Sequence, residues 1–417
     1  MQNLKKEEKD FTSTLYTNDN LFVLTGLNSN LVDLIYLDPP FNTEKVWSAP
    51  IGSKAAGTSF KDMWTWSDVN DAYLDKLVEK HPSLVMFIKS ISQTHSKAMM
   101  AYIVYMTQRI IEMHRVLKDT GSIYLHCDPT ASHYLKIVMD EIFGRDNFRN
   151  EIIWFYPDTP GRSNKYYPAK HDIILFYTKN KDYFFYPNAV RVPILEASKQ
   201  RYKSVRKLGG KEYLGGESAE IGKIPEDVWR IPTVKKNSRE ATKYPTQKPL
   251  ALLHRIINGS SKEGDIVLDP FCGCATTCVA AQKTKRKWIG IDISKNAASI
   301  LVDRLTDDAG FFKDFIHTAE IPTRTDIKIE PITISIKDRL FKQQNGCCNG
   351  CLLDFNSQNL EVDHIIPKSK GGGDYFENYQ LLCPNCNKIK GDRPMEYLLI
   401  KIDAREKLLK EKLSFGR

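Results

Sequence analysis

Residues 32 to 41 read Val-Asp-Leu-Ile-Tyr-Leu-Asp-Pro-Pro-Phe, an apolar run that ends in a carboxylate and two prolines. The run is typical of a buried strand, and it cannot continue through Pro39 and Pro40 because proline lacks the N–H that a sheet needs. Asp38 and Phe41 therefore follow the carboxyl end of a predicted strand. Open α/β sheets bind their ligands at this edge.

Two further apolar runs end in the same way. Residues 266 to 277 read Ile-Val-Leu-Asp-Pro-Phe-Cys-Gly-Cys-Ala-Thr-Thr, and the run 288–291 ends at Asp292. Gly273 allows the backbone after Asp269 to approach a ligand closely. Asp292 lies 19 residues beyond Gly273, where a strand-end carboxylate can accept hydrogen bonds from ribose hydroxyls. A nicotinamide enzyme would use such an Asp too, but the G-x-G-x-x-G spacing is absent.

Strand-like and helix-like segments alternate along most of the chain. The patterns predict strands at 32–37, 122–127, 152–156, 173–177, 266–269 and 288–291, and helices at 98–117, 131–143, 250–257 and 276–285. This order predicts an α/β protein with a doubly wound, mostly parallel, Rossmann-like sheet. Because 417 residues exceed what one core usually serves, we expect a second, smaller domain.

Positive charge is concentrated in one part of the chain. The formal net charge is +9, and residues 157–250 carry 13 Lys and 6 Arg against 4 Asp and 6 Glu. Tyrosines interleave these charges, which suits phosphate contacts and base stacking, although a solvated surface fits the charge equally well. No run is long enough to span a membrane and the charged N-terminus is unlike a signal peptide, so we expect a cytoplasmic protein without membrane contact.

Taken together, residues 15 to 305 resemble S-adenosylmethionine-dependent DNA amino-methyltransferases whose Asp-Pro-Pro-Phe element precedes the cofactor element. The resemblance implies that S-adenosylmethionine is the cofactor. It assigns to cofactor binding Asp19, Asn20, Lys248, Asp269, Phe271, Gly273 and Asp292. The family more often has Gly-Ser-Gly-Thr-Thr where this chain has Gly-Cys-Ala-Thr-Thr at 273–277.

The same resemblance assigns catalysis to Asp38, Pro39, Pro40 and Phe41. An exocyclic amino group is a poor nucleophile because its lone pair is delocalised into the ring, and acceptors on its N–H groups favour a tetrahedral nitrogen. Asp38 and the carbonyl of Pro39 are expected to accept these hydrogen bonds. Phe41 is expected to stack on the everted base, a contact worth roughly 1–3 kcal/mol.

Several alternatives remain for this element. Methylation at carbon C5 needs a thiolate, generally a Cys after Pro, and the chain has no Pro-Cys dipeptide. Cytosine N4 enzymes more often have Ser at the first position, so Asp38 favours adenine N6 and leaves N4 as the alternative. RNA is a further alternative substrate. By itself, Asp38 could simply cap a turn.

Five of the nine cysteines lie in the last quarter of the chain. Two Cys-x-x-Cys pairs, Cys348 with Cys351 and Cys383 with Cys386, are separated by 31 residues. In a cytoplasmic chain such pairs predict a tetrahedral structural Zn²⁺ site rather than disulfides. Cys347 is then a spare.

The region from 345 to 394 resembles HNH endonucleases, in which a β-hairpin and a helix hold one divalent ion. The resemblance implies that Asp363 and Asn387 bind Mg²⁺, that His364 is the general base and that Asn378 orients His364. Family members often carry His where this chain has Asn387, but an amide oxygen is an acceptable Mg²⁺ ligand. The alternative is a zinc module that only binds DNA.

The sequence thus predicts two units: a methyltransferase domain over 1–325, with a target-recognition region at 157–245, and an HNH nuclease-like zinc domain over 326–417. The resulting hypothesis is a restriction-modification enzyme that methylates and cuts double-stranded DNA, encoded by a prokaryote or a phage. Assembly into a homodimer is left open.

Overall fold

The computed structural model describes residues 11–40, 45–48, 59–62, 77–78, 80–157, 165–194, 206–208, 211–213, 222–235, 237–242, 244, 246–294, 299–301, 303–304, 315–326 and 336–403. Within these residues the strands are β1 (Ser13–Thr17), β2 (Val32–Leu37), β3 (Lys45–Ser48), β4 (Ser59–Asp62), β5 (Leu117–Cys127), β6 (Phe148–Phe155), β7 (His171–Thr178), β8 (Arg206–Leu208), β9 (Lys211–Tyr213), β10 (Val228–Arg230), β11 (Ile266–Asp269), β12 (Lys287–Asp292), β13 (Phe315–Thr318), β14 (Glu361–His364) and β15 (Tyr379–Leu382).

The α-helices are α1 (Asn20–Gly26), α2 (Pro82–Thr94), α3 (Lys97–Val116), α4 (Ser132–Phe143), α5 (Leu250–Ser260), α6 (Thr276–Lys283), α7 (Ile336–Gln343) and α8 (Pro384–Lys390). A further helical stretch covers 395–403. Within the described segments, none of the helices combines the length and the apolar character needed to cross a membrane.

Nine strands form one sheet in the order β10-β6-β7-β5-β2-β11-β12-β1-β13. Each neighbouring pair is parallel except the two that include β7. The six predicted strands correspond to β2, β5, β6, β7, β11 and β12, and the four predicted helices to α3, α4, α5 and α6. The doubly wound, mostly parallel, Rossmann-like fold is therefore confirmed.

Helices cover both faces of the sheet, and strand β2 shows how its sequence divides between them. Ile35 and Leu37 join the apolar cluster formed with α2, α3 and α4, whereas Leu34 and Tyr36 join the cluster formed with α5 and α6. Side chains alternate along a strand, so the residue two positions after Tyr36 continues toward the α5 face. That residue is Asp38.

The carboxyl ends of three neighbouring parallel strands meet at one edge of the sheet. Strand β2 pairs with β11, and β11 pairs with β12. Asp38, Asp269 and Asp292 follow or end these strands, so this edge carries three acidic side chains. Neighbouring strands lie roughly 4.8 Å apart, which brings the three residues into one site.

A short segment joins the sheet to the C-terminal module. Strand β13 pairs with β1 at the sheet edge, and beyond it Asn28 Nδ2 donates to Thr325 Oγ1 at 2.8 Å. The backbone N–H of Ser29 donates to Asp326 at 2.9 Å. The module itself has a separate apolar core that includes Leu340, Leu381, Leu382 and Leu398, with the β14–β15 hairpin packed against α7 and α8.

Candidate functional site

Asp38 is a partly buried carboxylate with two unlike oxygens. Its Oδ2 accepts a hydrogen bond from the Lys248 ammonium, in an ion pair whose side chains are 19% and 9% exposed, respectively. Its Oδ1 is buried and has no hydrogen-bond partner among the described residues. An unsatisfied buried acceptor is costly, so this oxygen is placed to receive a donor from a ligand. Pro39 is buried beside it, and Phe41 lies outside the described residues.

The turn after β11 is held by Asp269. One oxygen of this carboxylate accepts the backbone N–H of Phe271 at 3.1 Å, and the other accepts the hydroxyl of Thr277 at the start of α6. Between them Gly273 has φ +49°, and a Cβ at this position would lie 3.2 Å from the ring of Tyr244. Glycine suits this position because it adopts the positive φ without strain and does not crowd the Tyr244 ring.

Asp292 fastens the same turn to the neighbouring strand. Its Oδ2 accepts the N–H of Gly273 at 2.8 Å, and its Oδ1 accepts the N–H of Ser294 at 2.8 Å. Burial raises the pKa of both strand-end carboxyls, that of Asp269 to about 7. Each oxygen retains a lone pair for a further donor, so both groups can hold the turn and contact a ligand.

Asn20 contacts the turn after β11 directly, and a buried arginine that the sequence did not indicate links Asn20 to Asp19. Asp19 caps α1 by accepting the N–H of Leu21 at 2.7 Å, and Asn20 Nδ2 donates to the Pro270 carbonyl at 2.8 Å. Arg109, buried on α3, donates to Asn20 at 2.6 Å and to Asp19 at 3.0 Å. The guanidinium thus fixes both side chains against the turn.

A buried polar chain, also unpredicted, runs beneath Asp38. The Tyr36 hydroxyl lies 2.8 Å from His126 Nδ1, and His126 Nε2 lies 3.1 Å from Asp172 Oδ2. Tyr156 donates to the other oxygen of Asp172 at 3.3 Å. These residues come from β2, β5, β7 and the end of β6, so only the assembled sheet brings them together. The position of Tyr36, two residues before Asp38, is the one feature of the sequence that points to this chain of contacts.

The four predicted zinc ligands do come together. The Sγ atoms of Cys348, Cys351, Cys383 and Cys386 all lie within 4.8 Å of one another. Backbone N–H groups of Gly350 and Cys383 point at Cys348 Sγ, at 3.4 Å and 3.1 Å. Four sulfurs bound to one ion at about 2.3 Å would be spaced by about 3.8 Å, so the cluster fits tetrahedral Zn²⁺. Cys347 lies outside it and contacts Asp354.

His364, the expected general base, is held by a residue that the sequence reasoning missed. Its Nε2 lies 2.8 Å from Asp374 Oδ1, and Tyr379 donates to the same oxygen at 2.8 Å. Lys368 donates to the other oxygen at 2.7 Å. A carboxylate on one ring nitrogen fixes the ring and leaves the other nitrogen to accept a proton. Asp374 follows the glycines 371–373 directly, and this position was the one sequence feature that could have identified it.

Asn378, expected to orient His364, contacts the loop that carries it. Its amide accepts the N–H of Ile366 at 2.8 Å and donates to the carbonyls of Ile366 and Gly373 at 3.1 Å and 2.9 Å. It therefore fixes the backbone between His364 and Asp374 and does not contact the ring in any of these bonds.

The two expected Mg²⁺ ligands lie on facing elements. Asp363 on β14 accepts the fully buried Lys390 ammonium at 2.9 Å and Gln380 at 3.0 Å. Asn387 on α8 donates to Glu361, two residues before Asp363 on β14, at 2.6 Å. Because side chains two apart share a strand face, this face collects hard oxygen donors of the type that Mg²⁺ prefers, together with one ammonium.

Part of the basic region also reaches the active-site edge. Strand β7 runs antiparallel to β5, so its first residue, His171, lies beside the carboxyl end of β5. Tyr166 and Tyr167, just before it, are 75% and 99% exposed. Much of the region between 195 and 221 lies outside the described residues.

Comparison with protein families gives two matches. Residues 32–303 match a family described as DNA methylase, and residues 348–393 match one described as HNH endonuclease. The first match spans β2 to β12 and all three strand-end aspartates. The second spans all four cysteines and the β14–β15 hairpin.

Individual proteins are similar to this chain. The type II methyltransferase M.BglII of Bacillus subtilis is 29% identical over 307 residues, covering 72% of this chain and 71% of the relative. The DNA adenine methyltransferase YhdJ of Escherichia coli is 30% identical over 293 residues, covering 70% and 82%. Among solved structures, the PvuII DNA methyltransferase (cytosine-N4-specific) has a TM-score of 0.45 at 15% identity, covering 71% of this chain and 91% of that one.

Proposed function

The chain belongs to the DNA methylase family and carries an HNH endonuclease domain, and from that premise we propose that it methylates adenine N6 in double-stranded DNA and cuts DNA with Mg²⁺. The observation that carries the first half is the asymmetry of Asp38. One oxygen pairs with Lys248, and the other is buried without a partner among the described residues. An amino group of a base everted into this edge would satisfy that oxygen.

The residues around the Gly273 turn fit S-adenosylmethionine. Gly273 leaves the backbone of the turn open to close approach, and the carboxylates of Asp269 and Asp292 offer acceptors for cationic and hydroxyl groups. We assign Asp269, Phe271, Gly273 and Asp292 to this pocket. Asn20 supports it by donating to the Pro270 carbonyl, and Arg109 links Asn20 to Asp19. When bound, the cofactor supplies an electrophilic sulfonium methyl group.

Asp38 and Pro39 act on the acceptor nitrogen. Asp38 Oδ1 accepts one N–H of the amino group and the Pro39 carbonyl accepts the other, which turns the nitrogen lone pair toward the methyl donor. The N–C bond forms as the bond between the methyl group and sulfur breaks, and the sulfur leaves as a neutral thioether. The nitrogen becomes positive and then loses one proton to solvent, and the negative charge of Asp38 stabilises that developing charge. Phe41, which follows Pro40 in the sequence, is proposed to stack on the base.

The identity of the methylated nucleobase is tested by analysis of the reaction product. The Asp at the first motif position favours adenine, and the relative YhdJ is described as an adenine enzyme. With unmodified duplex DNA and cofactor labelled in the methyl group, we expect the label in N6-methyladenine after digestion to nucleosides. Label in N4-methylcytosine would contradict adenine specificity. Preferential labelling of structured RNA over duplex DNA would contradict DNA as the substrate.

For the second half, His364 is proposed to remove a proton from the attacking water, with its ring fixed by Asp374. Asp363 and Asn387 would hold Mg²⁺, and the ion would stabilise charge on the scissile phosphate. The contact between His364 and Asp374 supports a working base over the alternative of a zinc module that only binds DNA, because DNA binding alone needs no oriented imidazole.

Cleavage is tested on unmodified and premethylated DNA. We expect Mg²⁺-dependent cutting of one of the two by the wild type and a loss of at least about 100-fold in His364→Ala. Asp374→Asn should lose roughly 10-fold because its neutral amide fixes the imidazole less firmly. The absence of Mg²⁺-dependent cutting on both DNAs would remove the nuclease assignment and leave the DNA-binding alternative.

A further inference from the structure

We propose that Lys248 is a positioning residue of the methyl acceptor: its ammonium holds one oxygen of Asp38 and thereby aims the other at the amino group of the base. This inference rests on the proposed methyl transfer. The family resemblance assigned Lys248 to cofactor binding, and the proposal assigns it to the methyl-acceptor side of the site instead.

The first support is the contact itself. The Lys248 ammonium donates to Asp38 Oδ2 and also lies 3.5 Å from the Thr246 carbonyl. At 9% exposure the Lys248 side chain is held away from solvent, unlike a surface ion pair. A carboxylate held at one oxygen is restrained in its rotation, so the direction of Oδ1 is limited before any base arrives.

The second support is the rigidity of the segment that carries the lysine. Gln247 accepts both the N–H and the hydroxyl of Thr242 at 2.8 Å and donates to the Glu240 carbonyl at 2.6 Å. The Glu240 carboxylate accepts the N–H of Leu250, at the first turn of α5, at 3.1 Å. The backbone on both sides of Lys248 is thus tied down, which a positioning residue requires.

The third support is a second carboxylate. Burial raises the pKa of Asp172, but its hydrogen bond and electrostatic interaction with His126 and the nearby positive charge of Lys248 outweigh burial, so the pKa lies below its usual value. Lys248 therefore attracts Asp172 as well as contacting Asp38. Asp172 is itself held by His126, which in turn contacts the Tyr36 hydroxyl.

Electrostatics also argue against a direct role at the sulfonium. An ammonium beside a sulfonium would oppose the binding of a cation, whereas an ammonium paired with Asp38 is already neutralised. The methionine carboxylate is the one part of the cofactor that Lys248 could attract. The two roles give different kinetic results, so they can be separated.

The test is a double-mutant cycle in the full-length protein with two readouts, the Kd for S-adenosylmethionine by calorimetry and the single-turnover rate of methylation at saturating cofactor. The variants are Lys248→Met, Asp38→Asn and their combination. Lys262→Met is the control, because it removes a positive charge from an exposed position near the far end of α5. The control should match wild type in both readouts.

We expect Lys248→Met to change the Kd by less than about 3-fold and to slow the single turnover by roughly 30- to 100-fold. In the Asp38→Asn background the same change should slow it by less than about 3-fold, because the carboxylate that it positions is gone. Should Lys248→Met fail to fold, Lys248→Gln retains a donor and should give an intermediate rate with an unchanged Kd.

Two results would overturn the inference. One is a Kd raised about 10-fold or more with a normal saturated rate, which would make Lys248 a cofactor ligand. The other is a rate loss of equal size with and without Asp38, which would make the two residues independent. A wild type that transfers no methyl group at all would instead overturn the proposed function.

Discussion

Asp269 is a carboxyl group held almost completely away from water, and burial raises its pKa to about 7. The folded-state pKa exceeds the ordinary value of 3.8, so folding is favoured at low pH and loses stability as pH rises from about 4 to about 7. Asp269→Asn does not titrate, and it can keep the Phe271 and Thr277 contacts if the Thr277 hydroxyl accepts instead of donating. The ionised Asp269 side chain therefore lowers the free energy of unfolding above about pH 7.

We predict that Asp269→Asn stabilises the methyltransferase module by on the order of 1–3 kcal/mol at pH 8, with no difference near pH 4. Urea unfolding at both pH values measures this. An equal advantage at both values would show that ionisation is not the cause, and no advantage at pH 8 would show that burial does not penalise the carboxylate.

The ionisation of Asp269 should also affect the affinity for S-adenosylmethionine. Ionised Asp269 attracts a cation, so the affinity of the wild type for S-adenosylmethionine should rise as pH increases through about 7. Asp269→Asn should bind about 10-fold more weakly at pH 8 and show no such rise. Calorimetric titration from pH 6 to pH 8 checks both, and a parallel pH dependence in the variant would assign the effect to another group.

At the scale of elements, the adjacent residues Cys347 and Cys348 differ in their relation to the zinc cluster. Cys348 belongs to the four-sulfur cluster and to the core of the C-terminal module, whereas Cys347 contacts Asp354 outside the cluster. We predict that Cys348→Ser reduces bound zinc from about one to below about 0.2 per chain and exposes the module to proteolysis, because metal binding supplies folding free energy.

Cys347→Ser is the matched control and should retain both zinc and protease resistance. Elemental analysis and limited proteolysis measure the two quantities. If both serine variants kept their zinc, the cluster would not be the metal site; if both lost it, the distinction between the neighbouring cysteines would be wrong.

Elements were predictable where the sequence pattern is determined by burial. The apolar runs of β2 and β11 predict buried strands, because both faces of a parallel strand are covered by helices and are therefore apolar. Strands β1, β10 and β13 were not predicted, because they are short or polar and gain their stability from pairing at or near the sheet edges. Their existence depends on the neighbour, which local sequence does not contain.

The site residues at the ends of strands were predictable, whereas the contacts between distant segments were not. Asp38, Asp269 and Asp292 follow apolar runs, and their convergence follows from parallel strands. The contact between Lys248 and Asp38 joins residues 210 positions apart, and the contacts of Arg109 on α3 reach Asp19 and Asn20, about 90 positions away. Phe41 lies outside the described residues, so its stacking stays a prediction.

At the scale of the whole molecule, two modules with separate cores share one chain. The apolar cluster of the C-terminal module contains no residue of the sheet, although the segment from β13 to Asp326 is fastened to Asn28 and Ser29. We predict that the two activities separate in the full-length protein: Asp38→Ala should retain cleavage and His364→Ala should retain methylation, each within about 2-fold.

Assays of both activities on both variants measure this independence. Loss of cleavage in a folded Asp38→Ala protein, on DNA of the same methylation state, would show instead that the nuclease depends on the methyl-acceptor site. The anchored segment between the modules would then be the place to look for the coupling.

The central claim is that Asp38 holds the acceptor base while the turn at Gly273 and Asp292 holds the methyl donor. Its most direct test compares Asp38→Ala with Asp292→Ala, measuring cofactor Kd and the single-turnover rate of methyl transfer for each. We predict that Asp38→Ala binds S-adenosylmethionine within about 3-fold of wild type but transfers at least about 1,000-fold more slowly, whereas Asp292→Ala raises the Kd by about 10-fold or more. An Asp38→Ala protein that methylates at the wild-type rate, or that loses cofactor affinity as Asp292→Ala does, would contradict the account.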